Sequence, residues 1–143
     1  MGTRSSTTIH DGDTPLVNIY RQYDGYPSGH GQELVDFLKG IEIVNGIGMG
    51  EPAKQQANGA GCLAAQIITH FKSTIINHTY TEDGPKIREG DNVGGIYIAP
   101  LGETQEYHYD VRVNKHNRVT GIEVDGEYHD LKTYDGKAIE GAE

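Results

Sequence analysis

Apolar and polar residues alternate with a period of two at both ends of the chain and with a period near 3.6 in its middle. These are the spacings of half-buried strands and of amphipathic helices. Thr7-Thr8-Ile9-His10 and Leu16-Val17-Asn18-Ile19-Tyr20-Arg21-Gln22-Tyr23 predict strands over 5–10 and 16–23, joined as a hairpin through Asp11-Gly12 and a longer loop with Asp13-Thr14-Pro15. Asp24-Gly25-Tyr26-Pro27-Ser28-Gly29-His30-Gly31 is loop. A helix follows over 31–39, with Leu34, Phe37, Leu38 and Ile41 on one side and Glu33, Asp36 and Lys39 on the other. Gly40 is its stop.

Ala60, Leu63, Ala64, Ile67, Ile68 and Phe71 form a broad apolar stripe and predict a second, more buried helix over 59–72, with Asn58 suited to its N-cap. Between the helices, Ile41 to Gly50 carries three evenly spaced glycines and reads as loop. The second half is β. Gly94 to Ala99 is a strand closed by Pro100; over 106–114, Tyr107, Tyr109, Val111 and Val113 face one way and His108, Asp110, Arg112 and Asn114 the other. Val119 to Val124 completes a hairpin, 128–134 adds a short edge strand, and the acidic tail 138–143 frays. The order predicts an α+β domain over 1–137, an antiparallel sheet of five or six strands with two helices on one face.

Composition narrows the function classes. A length of 143 residues suits one core. Twelve Lys and Arg against 21 Asp and Glu leave a net charge of -9, which disfavours duplex nucleic acid and anionic membrane surfaces. No run of about 18 apolar residues occurs, and the first residues lack the apolar centre of a signal peptide, so the expected compartment is the cytoplasm. Cys62 is the one cysteine and sits within an apolar helical stripe, where a thiol is inert. Seven histidines show no metal-ligand spacing, so neither a metal nor another cofactor is expected.

The candidate chemistry gathers around Arg21. It shares a strand face with Val17 and Ile19, so its guanidinium faces the core and needs a partner. One reading is an internal ion pair with Asp24 or another carboxylate. The other is a receptor for an anion or a planar base, because the guanidinium fork binds phosphate and stacks on rings. In that receptor, Arg21 and the amides of Ser28, Gly29, His30 and Gly31 hold phosphate at a helix start. Tyr23, Tyr26 or Tyr97 stacks on a base, Asp24 lines the loop, and Asn45, Asn58 or Gln66 reads base or ribose edges. No catalytic residue is needed. The first alternative is an enzyme in which His30, beside Asp24, transfers protons; the second is an acidic inhibitor of a host defence or nucleic-acid-binding protein. A short, tyrosine-rich sheet with open edges also favours a homo-oligomer.

Four segments carry a resemblance: Gly2 to Thr8, Ile19-Tyr20-Arg21-Gln22-Tyr23-Asp24-Gly25-Tyr26-Pro27-Ser28-Gly29-His30-Gly31, Asn58 to Gln66, and Gly94 to Ile98. Through them the chain resembles a family of small, largely uncharacterised proteins of bacteriophages, prophages and bacteria. The resemblance implies a setting in an infected or lysogenic bacterial host and no particular catalytic residue. It suggests an anti-defence protein, a non-catalytic sponge for a nucleotide-derived immune signal of the cyclic oligonucleotide or cyclic ADP-ribose type.

Overall fold

A computed structural model describes residues 2–44, 55–72, 79–81, 84–86 and 93–141. The chain enters as a hairpin of β1 (Ser5–Asp11) and β2 (Thr14–Arg21), then forms a single π-helical turn, Pro27–Gly31, which runs straight into α1 (Gln32–Lys39). β3 (Ile41–Val44), β4 (Gln55–Asn58) and α2 (Gly59–Lys72) follow, then a small pair, β5 (Thr79–Thr81) and β6 (Gly84–Lys86). The second half holds β7 (Ile96–Ala99), β8 (Tyr107–Val113), β9 (Gly121–Val124), β10 (Glu127–Asp130) and α3 (Gly136–Gly141).

The principal sheet has six strands in the order β10-β9-β8-β1-β2-β7, which gives the expected α+β architecture. Its centre differs from the all-antiparallel expectation, because β1 runs parallel to β8 from Ser5 opposite Tyr107 to Asp11 opposite Val113. The cause lies in the connection between β7 and β8. Residues 100–106 pass beneath the sheet as a strap and return the chain in its original direction, as a parallel pair requires. Asn18 holds this strap: its Nδ2 donates to the Pro100 and Glu103 carbonyls at 3.0 and 2.8 Å, while its Oδ1 accepts from Thr8 Oγ1 at 3.0 Å.

Strand alternation divides the sheet into two faces. Ile9, Ile19, Tyr109, Val111, Val113, Ile122 and Val124 meet Leu34, Val35 and Leu38 of α1 and Leu63, Ala64, Ile67 and Phe71 of α2 in one core. The other face carries Ser6, Thr8, Asn18, Tyr20, Tyr97, His108 and Asp110, partly under the strap.

Three further expectations need correcting. The segment after α1 is loop by its glycine content, yet Ile41–Val44 pairs in parallel with Gln55–Asn58; Asn45 to Gly50 lie outside the described residues. The predicted 128–134 strand ends at Asp130, where Leu131 and Tyr134 turn inward to join the core. The tail is helical as far as Gly141, because Glu140 binds Ser28 and Tyr134 donates its hydroxyl to the Pro27 carbonyl at 2.8 Å. Smaller shifts affect β2, which stops at Arg21 rather than Tyr23, and α1, which starts at Gln32 after the π turn rather than at Gly31.

Candidate functional site

Arg21 ends β2 on the helix-facing side of the sheet and is 5 % exposed. Its Nε donates to the Tyr23 carbonyl at 2.7 Å, and its Nη1 reaches Glu33 Oε2 at 2.6 Å and His30 Nδ1 at 3.2 Å. Its Cζ lies 5.5 Å from the centre of the Phe71 ring, within cation–π range. The carboxylate that answers the arginine is Glu33, in the first turn of α1, rather than Asp24. The side chain is thus committed to an internal set, and the ion-pair reading describes the arrangement.

His30 is the centre of that set. A guanidinium only donates, so Nδ1 is the acceptor and Nε2–H donates to Thr7 Oγ1 at 2.7 Å. The ring packs 4.7 Å from Phe71 and 5.0 Å from Tyr109, centre to centre. Burial, with the adjacent Arg21 charge, lowers its pKa to about 3. A neutral imidazole with both nitrogens bonded inside the core is poorly placed to exchange protons with a substrate, and the Asp24 carboxylate is not its partner. Asp24 instead adopts a left-handed backbone (φ 56°), receives the His30 amide on its carbonyl at 2.7 Å, and accepts the Tyr26 hydroxyl at 3.2 Å. The Asp24 charge raises the Tyr26 pKa.

The glycines of this loop serve close packing. A Cβ on Gly31 would overlap the Tyr134 hydroxyl, and one on Gly25 would press on Ser5 and Thr3. The amide of Ser28, expected to meet a phosphate, donates with its own Oγ to Glu140 Oε1 at 2.8 and 2.7 Å. An internal carboxylate therefore fills the position.

Arg21, Tyr23, Asp24, Tyr26, Gly29, His30 and Gly31 thus lie together from the end of β2 through the π turn, bonded to one another and to Thr7 and Glu33. The remaining predicted residues lie apart from this group. Tyr97 is on the opposite sheet face, stacked on Tyr20 at 4.5 Å, since β2 alternation turns positions 20 and 21 in opposite directions. Gln66 donates to the Gln56 carbonyl at 2.9 Å, Asn58 ends β4, and Asn45 is outside the described residues.

Two arrangements were not anticipated. On the strap face, Ser6 Oγ lies 2.6 Å from His108 Nδ1, and His108 Nε2 and His10 Nε2 reach Asp110 Oδ1 at 3.3 and 2.7 Å. Burial alone would raise the Asp110 pKa, but its bonds to His108 and His10 outweigh that and hold it below the ordinary carboxylate value. The order Ser-His-Asp suggests a nucleophile relay. Ser6, however, is 1 % exposed beneath the strap, where it accepts the Gln105 amide at 3.2 Å, so a substrate has no access to it.

The second is a groove of about 1100 Å³ between the end of α1 with β3 and the β8–β9 loop with the turn after β10. Leu38, Ile43, Leu63, Val119 and Leu131 give it an apolar lining, and Lys39, Arg118, Lys132, His116 and Glu42 stand exposed around it beside a half-buried Asp130. Among the described residues, none of the three cations has an ion-pair partner. Asn114 fixes the loop that carries two of these groups, its Oδ1 accepting the His116 and Arg118 amides at 2.9 and 3.1 Å. Sequence could not bring these groups together, because they come from four separate elements. The only local hint is the basic run Lys115-His116-Asn117-Arg118, which reads as a turn.

No protein-family model, curated protein or solved structure matches the chain. Among the described residues no helix is long and apolar enough to cross a membrane.

Proposed function

We propose that this protein is a non-catalytic binder of a small anionic ligand of the nucleotide-derived kind, acting as a homo-oligomeric sponge for a defence signal in the cytoplasm of an infected or lysogenic bacterial host. The observation that carries the reading is the groove. A chain of net charge -9 needs a local concentration of cations to hold an anion, and Lys39, Arg118 and Lys132 supply it around an apolar floor. Ligand sites combine a mainly apolar lining with a few placed polar groups. Here phosphates meet the three cations, and a base or sugar face lies on Leu38, Leu63 and Leu131. The site differs from the one around Arg21, whose charge Glu33 already answers.

The test is calorimetric titration with linear and cyclic dinucleotides, ADP-ribose and its cyclic form, followed by heat denaturation and analysis of the released compound. Binding with intact recovery is the expected result, and Arg118→Glu with Lys132→Glu abolishes it with little change in Tm. Altered compound on recovery identifies an enzyme, and absence of binding by every compound overturns the reading.

A further inference from the structure

β7 is an outer strand of the six-stranded sheet, and its surroundings are unusually apolar. Tyr97, Ile98 and Leu101 are 52, 65 and 53 % exposed. From Ile96 to Gly102 no residue carries a charge. The bond from the Gln22 amide to the Gly95 carbonyl, at 2.9 Å, sets the phase of the β2–β7 ladder. Tyr20–Tyr97 and Asn18–Ala99 are then its hydrogen-bonded pairs, and the backbone groups of Ile96 and Ile98 point away from β2. The Ile96 carbonyl accepts Lys72 Nζ at 2.9 Å. Pro100 has no N–H, and its carbonyl already takes Asn18 Nδ2 at 3.0 Å and the Glu103 amide at 3.3 Å. Ile98 is thus the position along this edge whose amide and carbonyl both face outward without a partner among the described residues.

We infer that this edge pairs with the same edge of a second copy, antiparallel about a two-fold axis through Ile98. This deepens the homo-oligomer part of the proposed function and is independent of the ligand. A two-fold makes an edge self-complementary: each Ile98 amide donates to the other Ile98 carbonyl. Neighbouring registers fail, since Lys72 covers one carbonyl and proline removes one donor, so the edge closes into a dimer and does not extend into a fibre. Charge selects the same occupant. Two molecules of net charge -9 repel, and they meet most easily along a strand that carries no acidic side chain, with the Lys72 ammonium beside it as the nearby described charge. Tyr97, already stacked on Tyr20, is held in place for the contact. A four-residue edge is small beside the ~800 Å² per partner of a standard interface, so the dimer forms with rising concentration, and added salt strengthens it by screening the repulsion.

Sedimentation velocity over a concentration series is the test, with Ile98→Asp, the control Tyr128→Asp on the opposite edge, and Ile98→Cys in a Cys62→Ser background. In a hydrogen-bonded antiparallel pair the Cα atoms are about 5.5 Å apart, within disulfide reach. The inference expects dimer for the parent and for Tyr128→Asp, monomer for Ile98→Asp, and an interchain disulfide in the Ile98→Cys variant under mild oxidant. A dimer that survives Ile98→Asp, or a cysteine variant that fails to cross-link, overturns this interface and leaves a homo-oligomer built elsewhere. A parent that stays monomeric overturns both the interface and the homo-oligomer, and neither outcome bears on the ligand titration.

Discussion

Arg21 Nη1 donates to His30 Nδ1 across 3.2 Å, and that one contact fixes the imidazole tautomer and joins the end of β2 to the π turn that leads into α1. The guanidinium also holds the Tyr23 carbonyl and Glu33. Arg21→Ala therefore lowers stability, by about 2–3 kcal/mol given that bonds to charged groups contribute on that scale. Urea denaturation reads the loss. Arg21→Lys recovers part of it, since an ammonium lacks the planar fork. An unchanged midpoint for Arg21→Ala would free the arginine for the ligand role that its internal contacts now argue against.

His30 supplies a pH dependence whose sign follows from its lowered pKa. The unfolded chain takes up a proton near the ordinary value of 6.5, while the folded protein resists until about 3. Between those limits the unfolded state binds more protons, so stability falls on acidification, with a slope of up to about 1.4 kcal/mol per pH unit. Above 6.5 the contribution is constant. His30→Gln keeps a donor for Thr7 and an acceptor for Arg21 without titrating. Denaturant midpoints between about pH 4 and 7 are expected to vary less in this variant than in the parent.

Glu140 seats α3 against the π turn. Glu140→Ala removes the acceptor for both the Ser28 amide and hydroxyl, at a cost of about 1–2 kcal/mol. Hydrogen exchange is the sensitive measurement: amides of Ser28 and Gly29 exchange faster, while those of β1 and β8 do not. Gly31→Ala strikes the neighbouring contact of the π turn, the Tyr134 hydroxyl on the Pro27 carbonyl, because the new methyl overlaps that hydroxyl, and it destabilises more.

Asn18 tests the strap. Asn18→Leu leaves the Thr8 hydroxyl without its acceptor, the Glu103 carbonyl without its Asn18 donor and the Pro100 carbonyl with only the longer bond from the Glu103 amide, at about 2 kcal/mol or more. Limited proteolysis between residues 101 and 106 is expected to accelerate in this variant before the core opens. Equal cleavage rates would mean that the strap is held by other contacts.

Local periodicity carried much of the fold. The helix over 59–72 and the inward set Tyr109, Val111 and Val113 follow from spacing alone, because both elements bury one face against a single core. What spacing does not encode is pairing between distant segments. The parallel match of Ser5–Asp11 with Tyr107–Val113 looks, residue by residue, like any antiparallel one, and the glycines after α1 concealed a short strand at Ile41–Val44. The site divides in the same way. Arg21 is correctly an inward-facing arginine on β2, and its partner Glu33 sits on the face of α1 that the sequence assigns to solvent; Glu33 is in fact half exposed, so a helix-surface pattern hid a core contact. Lys39 and Lys132 gave no signal and Arg118 only that of a basic turn, since the tertiary fold alone sets the three beside one groove.

The β1–β8 pairing also orders events during synthesis. Residues 5–11 leave the ribosome about a hundred residues ahead of their partner and must wait for residues 107–113 before the middle of the sheet can close. Until then the β1–β2 hairpin presents an uncovered edge, the kind of surface on which nascent chains associate wrongly. A polypeptide halted before Val113 lacks the strand that joins the two halves of the sheet, so the centre of the sheet matures only once residues 107–113 have been made.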